Sequence, residues 1–137
     1  MNYWLIKSEP FKYSWSQFLK DQVTFWDGVR NYQARNNLTA MAIGDLCLYY
    51  HSNEGKEVVG IAEVIKEAYQ DPTTSDKAWV VVDVKPHSTL KNPVSLHNMK
   101  SNPDLSKMGL IRQPRLSVIA LTEHEFNTII VMSNESA

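Results

Sequence analysis

The groups best able to do chemistry crowd into one run, FWDGVRNYQARNNL, residues 25–38. Its aromatics, arginines, amides and acid around Gly28 are too polar for a core strand. They are also too large, flat or forked for an ordinary turn. Trp26, and with it Trp4, Tyr32 and Tyr50, offers a face on which a nucleobase can stack, at about 1–3 kcal/mol per base. Arg30, Asn31, Gln33 and Arg35 offer donors and acceptors for a base edge or a phosphate. Two further segments, KSEP and YYHSN, add Ser8, Glu9, His51 and Asn53. Groups of these types read the Watson–Crick edge of a base taken out of its stack. The competing reading is structural: the aromatics fill the core and the polar groups cap turns, since four tryptophans in a small domain carry a large packing payload.

Other chemistries find less support. His51, His87, His97 and His124 include no i, i+4 pair and no H-E-x-x-H, so no metal is expected. Gly28, Gly44, Gly55, Gly60 and Gly109 are too dispersed for a phosphate cradle, and no cofactor is expected. No G-x-S-x-G elbow presents a nucleophile. A hydrolase built from Lys7, Glu9 or His51 stays open as the alternative. Cys47, the single cysteine, lies in the apolar run DLCLYY and reads as buried and inert.

Bulk properties bound the partners. A chain of 137 residues, 43% apolar and 21% charged, suits one globular domain over 1–137. No apolar run reaches the roughly 18–20 residues that cross a bilayer. The N-terminus lacks a basic start followed by an apolar stretch, so a cytoplasmic protein without a membrane partner is expected. A net charge of −1 argues against gripping long duplexes by counterion release alone. Between Asn98 and Ser117, however, four cations face one carboxylate, whereas between Glu54 and Asp76 six carboxylates face two lysines.

The elements that must position these groups follow from periodicity and capping. YWLIK, GDLCLYYH, EVVGIAEVIKEAYQD, AWVVVDVKP and RLSVIAL read as strands, the fourth stopped by Pro86. In the third, both faces are apolar and one carries small residues around Gly60, which suits a strand bent at a corner or approached closely. Ser14 with Gln17 opens a short helix over 15–20, and Thr122 with Glu125 opens another with Phe126, Ile129 and Ile130 inward. NYQARNNLTAM is helical in its middle, and two short pieces open at Pro93 and Pro103. Residues 133–137 read as a frayed tail. Strands and short helices in this order do not alternate as in a doubly wound sheet; the expectation is an α+β fold built on a small mixed barrel.

WLIKSEP, WDGVRNYQARNNL, GDLCLYYHSN, VVGIAEV with EAYQD, WVVVDV and RLSV, in this order from Trp4 to Val118, resemble the EVE domain family. The resemblance implies a PUA-like fold, a small bent β-barrel with helices packed around it, related to the YTH and ASCH domains. It also implies a free-standing bacterial member that reads a modified base in DNA or RNA without catalysis; the enzymatic alternative becomes hydrolysis of an acylated nucleoside. Carried onto this chain, it places Lys7, Ser8 and Glu9 at the end of the first strand and Trp26 as an aromatic wall. Gly28, Val29, Arg30 and Asn31 become a loop against the ligand, and Tyr50, His51 and Ser52 close the pocket. Arg30 and Arg35 take adjacent phosphates, with Lys107, Arg112 and Arg115 from the late basic stretch.

Overall fold

Two hydrophobic strands lie side by side at the centre of the molecule, and their direction decides where the polar ends fall. The structure, a computed structural model, describes residues 1–135. Strand β1 (Tyr3–Ser8) is followed by α1 (Trp15–Asp21), a two-residue β2 (Thr24–Phe25) and α2 (Tyr32–Ala40). Then come β3 (Leu46–His51), β4 (Glu57–Gln70), β5 (Val80–Ser95) and α3 (Leu96–Lys100). A 3-10 turn (Pro103–Leu105), α4 (Gly109–Arg112), β6 (Val118–Leu121) and α5 (Glu123–Glu135) complete the chain. The sheet runs β2-β5-β4-β3-β1-β6. Among the described residues only β1 with β3 is parallel, and the other pairings are antiparallel. The mixed α+β class expected from the sequence is thus present. The strand order leaves β2 and β6 at its two ends, and no ladder among the described residues joins them into the closed barrel that was expected.

The parallel pair matters most. Its register sets Lys7 beside Tyr50 and Ser8 beside His51, so two segments some forty residues apart end at the same edge.

Gly60 has a packing reason. A Cβ at this position would lie 2.3 Å from the Trp15 ring, so the missing side chain is what admits the indole. The β4–β5 ladder also shifts register between Val58 and Gly60, as a bulged strand does when it bends. Pro86 was expected to stop its strand and does not. It pairs with Ala62 next to a register shift, where the missing N–H is tolerated, and β5 continues to Ser95. Pro93 likewise stays inside β5, and the helix expected to open there begins at Leu96, capped by Ser95, whose side chain accepts from Asn98 N–H.

The Thr122–Glu125 capping box is complete, whereas that at Ser14 is half-formed, since the Gln17 amide donates to Asp21 instead of closing it. Ser14 accepts from Gln17 N–H, and Thr122 Oγ accepts from Glu125 N–H while Glu125 returns a carboxylate to Thr122 N–H. In α1 the inward stripe is narrower than expected: Trp15 and Phe18 are buried, and Leu19 faces solvent. The tail expected from 133 is helical as far as Glu135 and its Ser133 is buried, bonding Asn92 at both backbone ends; residues 136–137 lie outside the described residues. We expect Thr122→Ala to remove about 1 kcal/mol of stability. A urea titration should show this as a lower midpoint with an unchanged slope.

Candidate nucleic-acid interface

The shared edge of β1 and β3 opens onto a cleft of about 600 Å³. Lys7, Ser8 and Glu9 form one side as β1 ends, and Ser52 follows β3. Lys12 and Tyr13 come from the turn before α1. The segment Thr24–Gly28 forms the facing side, with Trp26 in its middle, and Pro114, Arg115 and Ser117 cross from the strap before β6. Ligand sites of this class enclose about 300–1,000 Å³, enough for a nucleobase and part of its sugar.

Trp26 is a wall of this cleft, not a free-standing plane. It is only 7% exposed, held by an edge contact to Tyr49 at 5.4 Å and another to Tyr13 at 6.3 Å. Its backbone N–H donates to the Val82 carbonyl, which sets the segment along β5. Tyr49 in turn packs on Trp15 and Phe18, so the wall is continuous with the core. A ring held between two aromatic neighbours on an anchored backbone stays in place when a ligand enters or leaves, and that is the use of rigidity in a binding site.

The polar floor is fixed in the same manner. Ser8 Oγ and the Tyr49 hydroxyl both donate to the Tyr13 carbonyl, at 2.8 and 2.7 Å. Lys7 Nζ donates to the Pro114 carbonyl at 2.8 Å, joining β1 to the strap. Burial lowers the Lys7 pKa below that of a free lysine. Glu9 is engaged twice, by Lys12 at 3.4 Å and by the Asn53 amide. Arg115, exposed at the rim, contributes a guanidinium to the cleft lining.

A carboxylate that sequence reasoning passed over holds the Trp26–Asn31 loop in place. Asp71 is fully buried and accepts from Gly28 N–H at 3.2 Å and from the Arg30 guanidinium at 3.0 Å. Its other oxygen accepts from the Thr73 backbone and hydroxyl, at 2.7 and 2.6 Å. Burial alone would raise its pKa; the bonds from Thr73, Arg30 and Gly28 outweigh that and bring it down to about 2. Gly28 has φ +77°, a left-handed conformation that glycine adopts without strain. The only sequence signal for this role was the EAYQD motif, whose aspartate stood unexplained.

The site residues expected from the sequence therefore divide. Lys7, Ser8, Glu9, Trp26, Gly28, Ser52 and Arg115 meet at the cleft. Val29, Arg30, Arg35 and His51 do not, and each has a structural use. Val29 is buried in the core. Arg30 is occupied by Asp71 and lies over Trp79, while Arg35 lies over Tyr32. His51 accepts the Trp15 N–H on Nε2, a bond that requires its neutral form, and burial lowers its pKa accordingly. Asn31 caps α2 through Ala34 N–H and lines a separate hollow that shares Pro114 and Arg115 with the cleft. Tyr50 is buried and lines another hollow beside Lys7. Lys107 and Arg112 are exposed outside the cleft, and Arg112 Nε donates to the Ser106 carbonyl. Trp4 and Trp15 are core residues whose indoles donate to Asp45 and Thr89. Among the described residues no group of three or more His, Cys, Asp or Glu could hold a metal, and no helix is long and apolar enough to cross a membrane.

Comparison with known proteins identifies the family. A family model described as the EVE domain matches residues 2–132. The chain belongs to the EVE domain family. Mouse thymocyte nuclear protein 1 is 37% identical over 94% of this chain and 72% of its own length. A protein of Agrobacterium tumefaciens, solved by crystallography, superimposes with a TM-score of 0.95 at 48% identity, covering 97% of this chain and 93% of that one. The human THYN1 protein, crystallised in complex with DNA containing 5-methylcytosine, superimposes with a TM-score of 0.92 at 32% identity over the full length of both chains. The EVE fold is therefore common to relatives at widely different identities.

Proposed function

We propose that this protein binds nucleic acid carrying a modified base, which leaves its stack and enters the cleft beside Trp26. The observation that carries the reading is the cleft itself: a pre-formed hollow of about 600 Å³ with an immobilised indole on one side and Lys7 and Arg115 at its edges. The complex of human THYN1 with 5-methylcytosine-containing DNA supports it from the side of a relative.

In this reading the base packs against Trp26, and the Ser8 hydroxyl, which still has acceptor capacity, meets its polar edge. Lys7 has ammonium protons beyond the one given to Pro114, and these serve a base carbonyl or the flanking phosphate. The strap before β6 supplies Pro114, Arg115 and Ser117 to the cleft lining, which favours a ligand held between it and Trp26. The reaction is binding alone, with no cofactor. Glu9 is tied to Lys12 and Asn53, and Lys7 to Pro114, so neither stands as an unpaired acid or base for hydrolysis of an acylated nucleoside.

The test compares short duplexes that differ in a single 5-methylcytosine or another modified base, titrated by fluorescence anisotropy. At least one modification should bind more tightly than the plain duplex. Trp26→Ala should lose roughly 10- to 100-fold in affinity, the equivalent of 1–3 kcal/mol of stacking. Because that variant also empties a core position, Trp26→Phe serves beside it; it keeps a ring and should retain most of the preference. Equal affinity for every duplex, with or without the indole, would end the proposal.

A further inference from the structure

The cleft continues past Lys7. Lys7, Ser52 and Pro114 line both the cleft and a second hollow beneath Tyr50, and that hollow shares Lys56 and Leu96 with a third. The third is edged by His97 and Lys100 of α3. Backbone bonds fasten the path together: Ser52 N–H donates to Ser8, and Leu96 N–H to Lys56, both through carbonyls at 2.9 and 2.8 Å. A continuous shallow track therefore runs from the base cleft across the β3–β4 turn to α3.

Its charge is one-sided. Lys7, Lys56, Lys100 and His97 line the second and third hollows, and no carboxylate does. Glu54 and Glu57, the acids nearest in sequence, line neither. Lys56 and Lys100 are exposed, and no ion pair among the described residues engages either. The whole chain carries a net charge of −1, so a row of three lysines joined to the cleft stands out against a remainder that is net acidic. On the other side of Lys7, in the cleft proper, the acids are already present: Glu9 and Asp27 both line it.

We propose that this track, and not the basic stretch holding Lys107 and Arg112, carries the sugar–phosphate backbone on one side of the extruded nucleotide. The proposal rests on the reading of the cleft as a nucleic-acid site and adds the path of the strand. Phosphates flanking the extruded nucleotide lie over Lys56 and Lys100, while the base itself is read at Trp26. Backbone contacts of this kind fix register and strength without reading sequence. The track therefore contributes equally to modified and unmodified nucleic acid, and preference stays with the cleft.

The experiment measures affinity against salt for one modified and one plain duplex, using the full chain. Lys56→Gln and Lys100→Gln keep the stem of each side chain and remove its charge. Each should weaken binding several-fold for both duplexes alike, and should lower the steepness of log K against log salt by about one. Lys107→Gln and Arg112→Gln should leave that steepness unchanged. If Lys107→Gln or Arg112→Gln lowers it as much as Lys56→Gln does, or if Lys56→Gln and Lys100→Gln leave it unchanged, the track is wrong. If the track variants flatten the salt dependence but neither duplex is preferred, the track stands and modified-base recognition falls. If no nucleic acid binds at all, both fall together.

Discussion

Gly60→Ala is expected to cost about 3 kcal/mol, at the upper end of what overpacking a core exacts. The added Cβ would come within 2.3–2.5 Å of three atoms of the Trp15 ring. Such an approach is relieved only if something moves, and the ring has nowhere to go. Its indole N–H is bonded to Thr89 at 2.9 Å, and its faces and edges meet Phe18 at 5.5 Å and Tyr49 at 5.2 Å. The strand cannot retreat either, because Gly60 is paired on both sides, with Tyr49 in β3 and Thr89 in β5. For a domain of this size the loss corresponds to a melting point lower by roughly 10 °C. The effect should reach the cleft, since Trp15 supports Tyr49 and Tyr49 supports Trp26. A variant melting with the wild type would show that Trp15 is free to shift, and would remove the case for a rigid aromatic wall.

The same chain of contacts explains what could be read from the sequence. Local devices were legible because their partners lie within a turn: Ser14 with Gln17, and Thr122 with Glu125, meet as their spacing requires. The apolar strands were legible too, as was the small-residue face around Gly60. Pro86 was misread because a proline halts a strand only where its N–H is needed, and a register shift beside Ala62 removes that need. The cleft was legible at its strand ends, in Lys7, Ser8 and Glu9 after β1 and Ser52 after β3, through resemblance more than through spacing. The parallel pairing that joins them is decided across the sheet. Arg30 and His51 carried chemistry in the sequence and spend it on structure, because the groups that satisfy them, Asp71 and the Trp15 N–H, lie 41 and 36 residues away. A polar group is free for a ligand only after its own fold has declined it, and nothing local records that outcome.

Asp71→Asn should then do more damage than its distance from the cleft suggests. The carboxylate receives four donors, two on each oxygen: Thr73 N–H and hydroxyl on one, Gly28 N–H and the Arg30 guanidinium on the other. An amide can present an acceptor to only one of those pairs. Its NH₂ would point at donors on the other side, and at least two bonds are lost whichever way it turns. With each bond to a buried charge contributing about 1.5–3 kcal/mol, the expected loss near neutral pH is about 3 kcal/mol. The acidic range separates this from a simple packing defect. Asp71's folded pKa is about 2, below the usual carboxylate value of 3.8, so its stabilisation is fully present above about pH 4 and fades as pH falls through 2. That portion amounts to about 2 kcal/mol in the wild type and is absent from the asparagine variant. The gap in unfolding free energy should therefore narrow as denaturation is carried from pH 7 towards pH 2. At neutral pH, in buffer where the variant remains folded, affinity for the preferred duplex should also drop, because either Gly28 loses its bond outright or its acceptor loses the Thr73 bonds that fix it. A stability gap that stays the same at pH 7 and pH 2 would mean that the buried charge is not what anchors this loop.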